Sequence, residues 1–514
     1  MKLAKLSLAA MVVAGLASSS FAADTLADSF KNGKVSGELK AWYFDQSADG
    51  QDNLTGSGSN INSATRAGHR NNANIFTTAA VLGYVTDSFY GFNIGLTFQG
   101  AANPGTVEQY KAGTSQYSAA SVFKNDENAG GGVLSEAYLA YTLGKTTAKV
   151  GRQFMSTPLV NGSGSRIFTE SFEGALLVNT DLPQTTLIAA YVDRFQGRTS
   201  SVSNFPNVAA ASAFPSFTPN AYSIDGNGDA PTFEKSAAFT GGAAGGLVAK
   251  FDGAYSAGVI NKSINNVTLT GQYAVVKDVE VPLAALASLG LSGKAIDDID
   301  VYYTEVNYVL PLSGFKLGFD ANFRGSKAGS QLDVANLDGT YTAGRLSISE
   351  LAGFGASFAY GKTSKDDAVI AGMGNGPTSY TSTMIRGTST RMLSDTDSYL
   401  FQATYDFGKL GVTGLTAVAQ YGWTKQGDDA GNLPTGAITG TSGRASVASA
   451  DYTNTAIGLT YAIPAVKGLT TSLQYEMQER ELNADPTIGG TTYTGYKGAK
   501  TNTDELWFKA GYKF

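Results

Sequence analysis

Apolar residues recur at every second position through most of this chain. From Thr503 to Phe514, Leu506, Phe508, Ala510, Tyr512 and Phe514 share one side of an extended strand, while Glu505, Trp507, Lys509, Gly511 and Lys513 share the other. A half-buried edge strand of a soluble sandwich is one reading; a strand with lipid on one face and water on the other is the second. Repetition favours the second. Val35, Gly37, Leu39, Ala41 and Tyr43 alternate with Ser36, Glu38, Lys40, Trp42 and Phe44. Eighteen such strands are predicted, near 35–44, 73–84, 91–100, 133–143, 146–153, 172–179, 185–195, 247–259, 267–276, 301–310, 315–325, 339–348, 354–362, 398–407, 415–424, 451–462, 469–479 and 503–514. Glycines blur the alternation over 233–276, so sixteen strands is the alternative.

Two kinds of connector separate the strands. Short ones, such as Leu310 to Phe315, Ser349 to Phe354, Leu410 to Leu415 and Ile463 to Leu469, reverse the chain on Gly or Pro and restart it on an aliphatic or aromatic residue. Long polar segments, among them 46–70, 101–132, 154–171, 196–246, 277–300 and 363–397, alternate with them. An even strand count with both ends on the short-turn side describes an all-β fold. It is one transmembrane antiparallel barrel with short periplasmic turns and long extracellular loops. In hydrocarbon an unpaired strand edge costs several kcal/mol per group, so the strand after Gly33 must close on the one ending at Phe514. At this size side chains cannot fill the interior, and an aqueous channel remains.

Lys2 and Lys5 precede an apolar run from Leu6 to Ala17, and Ser20-Phe21-Ala22 supplies small cleavage residues. Residues 1–22 therefore read as a removable export signal, and 23–514 as the barrel. The first strand follows so soon that no plug domain is expected ahead of it. The 514 residues contain no cysteine, which excludes a disulfide scaffold and thiolate chemistry. A net charge of -6 argues against a nucleic-acid partner. Expected partners are outer-membrane lipid and lipopolysaccharide, small hydrophilic solutes, and the barrel-assembly machinery through Phe514. Monomer and homotrimer both stay open.

Charges cluster on the faces opposite the apolar stripes. A midplane Arg or Lys facing lipid costs about 2–4 kcal/mol, so Glu38, Lys40, Glu136, Glu305, Lys316, Asp320, Arg324, Arg345, Asp406 and Glu476 are expected to line the lumen. The segment 154–171 carries Arg166 and Glu170 around the tract Asn161 to Ser165, with Arg152, Glu173, Arg194 and Arg198 close by in sequence. Folded inward, it would narrow the passage and present positive charge to an anionic or zwitterionic solute. An exposed, ordinarily solvated loop is the competing reading.

Leu134 to Leu139, Lys149 to Gln153 with Thr157-Pro158-Leu159, and Ser165-Arg166-Ile167 followed by Ser171 to Gly174 resemble OprD-type outer-membrane porins. The chain is also similar to the major outer-membrane porins of Campylobacter-like bacteria. The resemblance implies eighteen strands, an inward-folded third loop and an arginine-lined constriction for small hydrophilic solutes, with Arg152, Arg166 and Arg194 as constriction candidates. It also allows a structural calcium ion.

Other chemistry is poorly supported. His69 is the single histidine, and spacing assigns it no triad partners. Asp225, Asn227 and Asp229 suit calcium in residue type, but they do not complete the twelve-residue loop spacing. No zinc spacing, phosphate-binding loop or dinucleotide fingerprint occurs, and no cofactor is required. A passive diffusion channel, not an enzyme, is the leading reading. A barrel acting through its surface loops and a barrel hydrolase are the alternatives.

Overall fold

The structure is a computed structural model. It describes residues 23–50, 69–70, 73–102, 107–109, 111–112, 115–116, 131–198, 231–241, 247–282, 294–385, 388–427, 438–439, 443–446, 449–485, 487–488, 491–492, 495 and 497–514. Residues 1–22, the expected export signal, and the calcium candidates Asp225, Asn227 and Asp229 lie outside these residues.

Eighteen strands form the wall. The first six are β1 (Lys34–Gly50), β2 (Ala73–Val85), β3 (Phe92–Ala102), β4 (Gly131–Leu143), β5 (Thr146–Gln153) and β6 (Ser171–Asn179). β7 (Thr185–Gln196), β8 (Gly253–Asn261), β9 (Val267–Pro282), β10 (Lys294–Leu312), β11 (Phe315–Ala328) and β12 (Thr340–Leu351) follow. β13 (Phe354–Thr363), β14 (Thr396–Asp406), β15 (Leu415–Gln426), β16 (Ala450–Ala462), β17 (Leu469–Leu482) and β18 (Lys500–Lys513) complete it. Each pairs antiparallel with its sequence neighbours. β18 then pairs with β1 from Lys513↔Glu38 to Thr501↔Gly50, so no wall strand has an open edge. Phe514 extends this seam by exchanging backbone hydrogen bonds with Gly37 at 2.9 and 3.1 Å.

The short turns are tight because each uses a left-handed residue, such as Gly91, Gly144, Gly314, Gly353 and Gly468. A short helix, Leu26–Lys31, capped by the Thr25 hydroxyl, precedes β1 and bonds to the first of these turns through Asp87 N–H to Ser29 O.

All eighteen predicted strands are present, with two corrections. The eighth wall strand begins at Gly253, not 247, because Leu247–Lys250 pairs with Ser236–Phe239 and touches the wall ladder only at Lys250↔Glu280. Much of the expected loop 277–300 is strand: β9 and β10 continue past a bulge at Val276/Val279, where Asp278 takes a left-handed φ of 51°.

The faces are inverted relative to a soluble protein. Phe319, Leu346, Phe358, Phe401, Tyr421, Ile457, Leu473 and Phe508 are exposed on the outside, while Gln99, Asn322, Asn454 and Glu476 are buried inside. One arc of the inner face departs from this. Leu176, Val178, Ile188, Val192, Ala254, Ile260, Ala274, Val276 and Val301 point inward and are covered by lumen loops.

Neighbouring residues on opposite faces of β13 supply a test. Phe358→Arg is expected to lower the unfolding free energy by roughly 2–4 kcal/mol, and Ser357→Arg to change it far less. Denaturant unfolding in lipid vesicles measures both.

Candidate constriction and its lumen loops

Segment 154–170 folds into the lumen. At its start, Met155, Leu159 and Val160 pack on the apolar arc with Phe172 and Phe195. Gln272 of β9 holds this stretch from the wall: its Oε1 accepts from Leu159 N–H and its Nε2 donates to Thr157 Oγ1, each at 2.9 Å. At its tip, Ile167 and Phe168 pack on Trp42, Phe44 and Trp507 of β1 and β18. Lys40 Nζ donates to Ile167 O at 3.1 Å. The loop thus crosses the interior from the β6–β11 arc to the closure seam.

A second lumen loop, 364–395, was read from the sequence as a long polar segment. Its Ala368 to Ala371 stretch and Met373 are almost wholly buried. Val160 and Met373 form a parallel bridge, with Met373 N–H donating to Leu159 O at 2.8 Å and Asn161 N–H to Met373 O at 3.1 Å. The strand Ser236–Gly241 joins from the other side through Thr240↔Gly372. Contact is close enough that a Cβ on Gly374, at φ 85°, would stand 2.2 Å from Asn161 O.

Glu170 locks the two loops together. Its carboxylate, with no exposed surface, accepts from Ser163 N–H and Asn375 N–H at 2.8 Å each and from the Asn375 side-chain amide. Arg198 stands 3.9 Å away and donates to Ser165 Oγ at 2.8 Å. Burial raises the Glu170 carboxyl above its ordinary value, against the lowering pull of Arg198 and these donors. Arg391, also fully buried, is lowered by burial to about 10 and stays a cation at neutral pH. It donates to Asn454 Oδ1 at 3.1 Å and Thr381 O at 3.3 Å.

Several of the expected lining residues bond to the lumen loops or to one another across the inner face. Glu476, fully buried, accepts from Thr383 Oγ1 at 2.6 Å, Asn454 Nδ2 at 2.8 Å and Ile385 N–H at 2.9 Å. Arg324 donates to Ala371 O at 3.1 Å and Thr378 O at 2.7 Å. Asp320 takes both Nε and Nη2 of Arg345, at 2.9 and 2.6 Å, and Asn307 Nδ2 at 2.8 Å. Glu305 accepts from the Tyr380 hydroxyl, and the Arg345 guanidinium lies 4.6 Å over the same ring. Glu136 accepts from Thr97 Oγ1 at 2.6 Å and from Phe154 N–H at 3.4 Å, at the loop's root. Two others sit at the short-turn rim: Lys316 pairs with Glu350 at 2.7 Å, and Asp406 caps the turn helix Phe407–Leu410. Glu38 is half-buried on the inner face near the same rim, beside Gly511.

The six constriction candidates lie in two places. Arg166 and Glu170 belong to the lumen loop, and Arg198, just past β7, contacts it at Glu170 and Ser165. Arg152 and Glu173 pair at 2.9 Å across β5–β6, with Arg194 opposite Glu173 in the next strand. Strand alternation sets these three on the face of the ladder opposite Phe172 and Gln153, and the Arg152 guanidinium lies 4.4 Å over Phe233, which packs with Ile167 and Phe168 of the loop tip.

Sequence reasoning did not single out Lys509 as a site residue. Its Nζ lies 4.6 Å over the Trp42 ring and 4.4 Å over Trp507, and the Arg166 guanidinium lies 5.2 Å from the centre of Trp507. Lys40 lies 5.3 Å over Trp42. Three cations and two indoles therefore meet where the loop tip touches the closure seam. The period-two pattern of β18 already placed Lys509 and Trp507 inward.

A closed eighteen-strand wall, oily outside and polar inside, with a loop drawn across its lumen, defines a porin of the Gram-negative outer membrane. The chain belongs to the Campylobacter major outer membrane protein family, whose model matches residues 1–376. No curated protein matches its sequence. Among solved structures it is similar to Pseudomonas aeruginosa OccK9 (OpdG), with a TM-score of 0.61 at 13% identity over 95% of this chain and 100% of that one. P. aeruginosa OpdO gives 0.57 at 16% over 95% and 98%. P. aeruginosa OpdK, solved with vanillate, gives 0.61 at 13% over 94% and 100%. At these identities the likeness is one of fold.

Glu170→Ala leaves the Ser163 and Asn375 N–H groups without their acceptor, a loss of about 1–3 kcal/mol for each buried donor. Single-channel recording is expected to show greater open-channel current noise than the parent, with the barrel still heat-modifiable on gels.

Proposed function

We propose that this porin is a passive, non-enzymatic channel with a mild preference for anionic or zwitterionic solutes. The convergence of Lys40, Lys509 and Arg166 on Trp42 and Trp507 carries this reading. The loop tip brings basic side chains against an aromatic surface, in a lumen whose walls exclude the bulk dielectric. A carboxylate or small anion gains occupancy there without a deep well. Half-exposed polar residues on β13 to β17, including Ser357, Gln402, Ser472 and Gln474, provide the wetted path on the short-turn side. Residues 1–22 act in this reading as the export signal, and the Phe514 seam as the signal for assembly.

Selectivity in planar bilayers tests the assignment. Lys509→Gln and Arg166→Gln, singly and together, are expected to shift the reversal potential in a salt gradient toward cation preference, with the double variant shifted most. Unchanged reversal potentials and unit conductance in all three would remove the cationic cluster from the conduction path.

A further inference from the structure

The outer face of β13, β14 and β15 carries three successive cross-strand rows of different chemistry. The lowest is Phe358, Phe401 and Tyr421, each close to half exposed. The next is Tyr360, Tyr399 and Trp423. Tyr399 and Trp423 stack at 4.8 Å with 11° between their planes, and Tyr360 lies 5.0 Å from Tyr399. The uppermost row is Lys362, Asp397 and Lys425. Lys362 Nζ is 3.1 Å from Asp397 Oδ2, the Tyr360 hydroxyl donates to the same carboxylate, and Lys425 is exposed on its other side.

This order matches the edge of a bilayer. Apolar rings suit hydrocarbon, amphipathic phenol and indole suit the interface, and cations suit the layer of headgroup phosphates above it. Because the long loops are extracellular, that edge belongs to the outer leaflet. The loop between β13 and β14 turns into the lumen and leaves the row uncovered from that side, with Asp395 N–H bonded back to Ser364 O. On these three strands one carboxylate stands between two lysines, and the row continues outward on β16 and β17 with Asp451 and Glu481.

We propose that Lys362 and Lys425, on the Tyr360–Tyr399–Trp423 platform, bind the phosphate of an outer-leaflet glycolipid headgroup, with its acyl chains lying along Phe358, Phe401 and Tyr421. Asp397 competes for both lysines and holds their heads apart. The Tyr360 hydroxyl fixes the carboxylate, and the stacked rings give the sugar a flat apolar surface. The inference depends on the barrel's outward face, not on solute passage, so the conductance result and this one fail independently.

Trp423 reports the site. Of the three tryptophans, Trp42 and Trp507 are buried inside the lumen, so quenching by brominated phosphatidylcholine vesicles reads Trp423. Adding diphosphorylated lipid A to these vesicles is expected to displace brominated lipid and restore fluorescence at a lower mole fraction than dephosphorylated lipid A. Lys362→Gln and Lys425→Gln each reduce that preference by roughly fivefold, and together they abolish it. Asp397→Asn, which leaves both lysines in place, strengthens it and keeps the test informative if the double variant misfolds. Equal displacement by the two lipids, or a preference unchanged in the lysine variants, would overturn the proposal. So would reversal by millimolar inorganic phosphate, which would make the site one for the free anion. Protection of Trp423 that rises with protein density and not with lipid would assign the face to a second copy and overturn it too.

Discussion

Hydrocarbon offers no partner to a peptide group, and every other feature follows from that. An open sheet would leave two rows of N–H and C=O groups unpaired, each costing several kcal/mol, so the ladder has to end where it begins. The seam from Glu38↔Lys513 to Gly50↔Thr501 meets this requirement. Once the ring is closed, period two divides its residues between oil and water, and eighteen strands leave an interior too wide for side chains alone.

The chain fills part of that interior with its own loops. A polar wall would gain little by having loops folded against it. Here the β6–β10 arc is apolar on both faces, and burying Met155, Leu159, Val160, Phe239, Ile370 and Met373 against it draws three long connections inward. The inward charges are used in two ways. Glu170, Arg324 and Glu476 hold loop backbone and are buried by doing so, whereas Lys509 of β18 and Arg166 of the loop meet at Trp507. Buried hydrogen-bonded charge on the loops is costly to unpair, which favours one loop arrangement over many.

Most of the wall was legible because lipid demands a simple pattern. Strands such as β11 and β17, apolar on one face and charged on the other, start on the expected residue and run three residues past the expected end. Legibility fell where that pattern had a second cause. Between Phe233 and Val276 the inner face is apolar too, so alternation fades, and Leu247–Lys250 looked like wall when it pairs inside. The lumen loop at 364–395 was missed because its outline is polar, although the run Ala368-Val369-Ile370-Ala371 is a signal that such a segment is buried. Lys316 and Asp406 have the right parity for the lumen, but their height at the turns commits them to the rim.

The division of the wall into a wet and an oily face can be measured directly, because the chain has no cysteine of its own. Ser472→Cys, Leu473→Cys, Gln474→Cys and Tyr475→Cys, made one at a time in β17 and reconstituted in vesicles, would be treated with a membrane-impermeant charged thiol reagent. Fast labelling at 472 and 474 with protection at 473 and 475 is the predicted result. Uniform labelling along the four positions, or labelling of 473 and 475 in place of their neighbours, would contradict the closed, inward-wetted barrel.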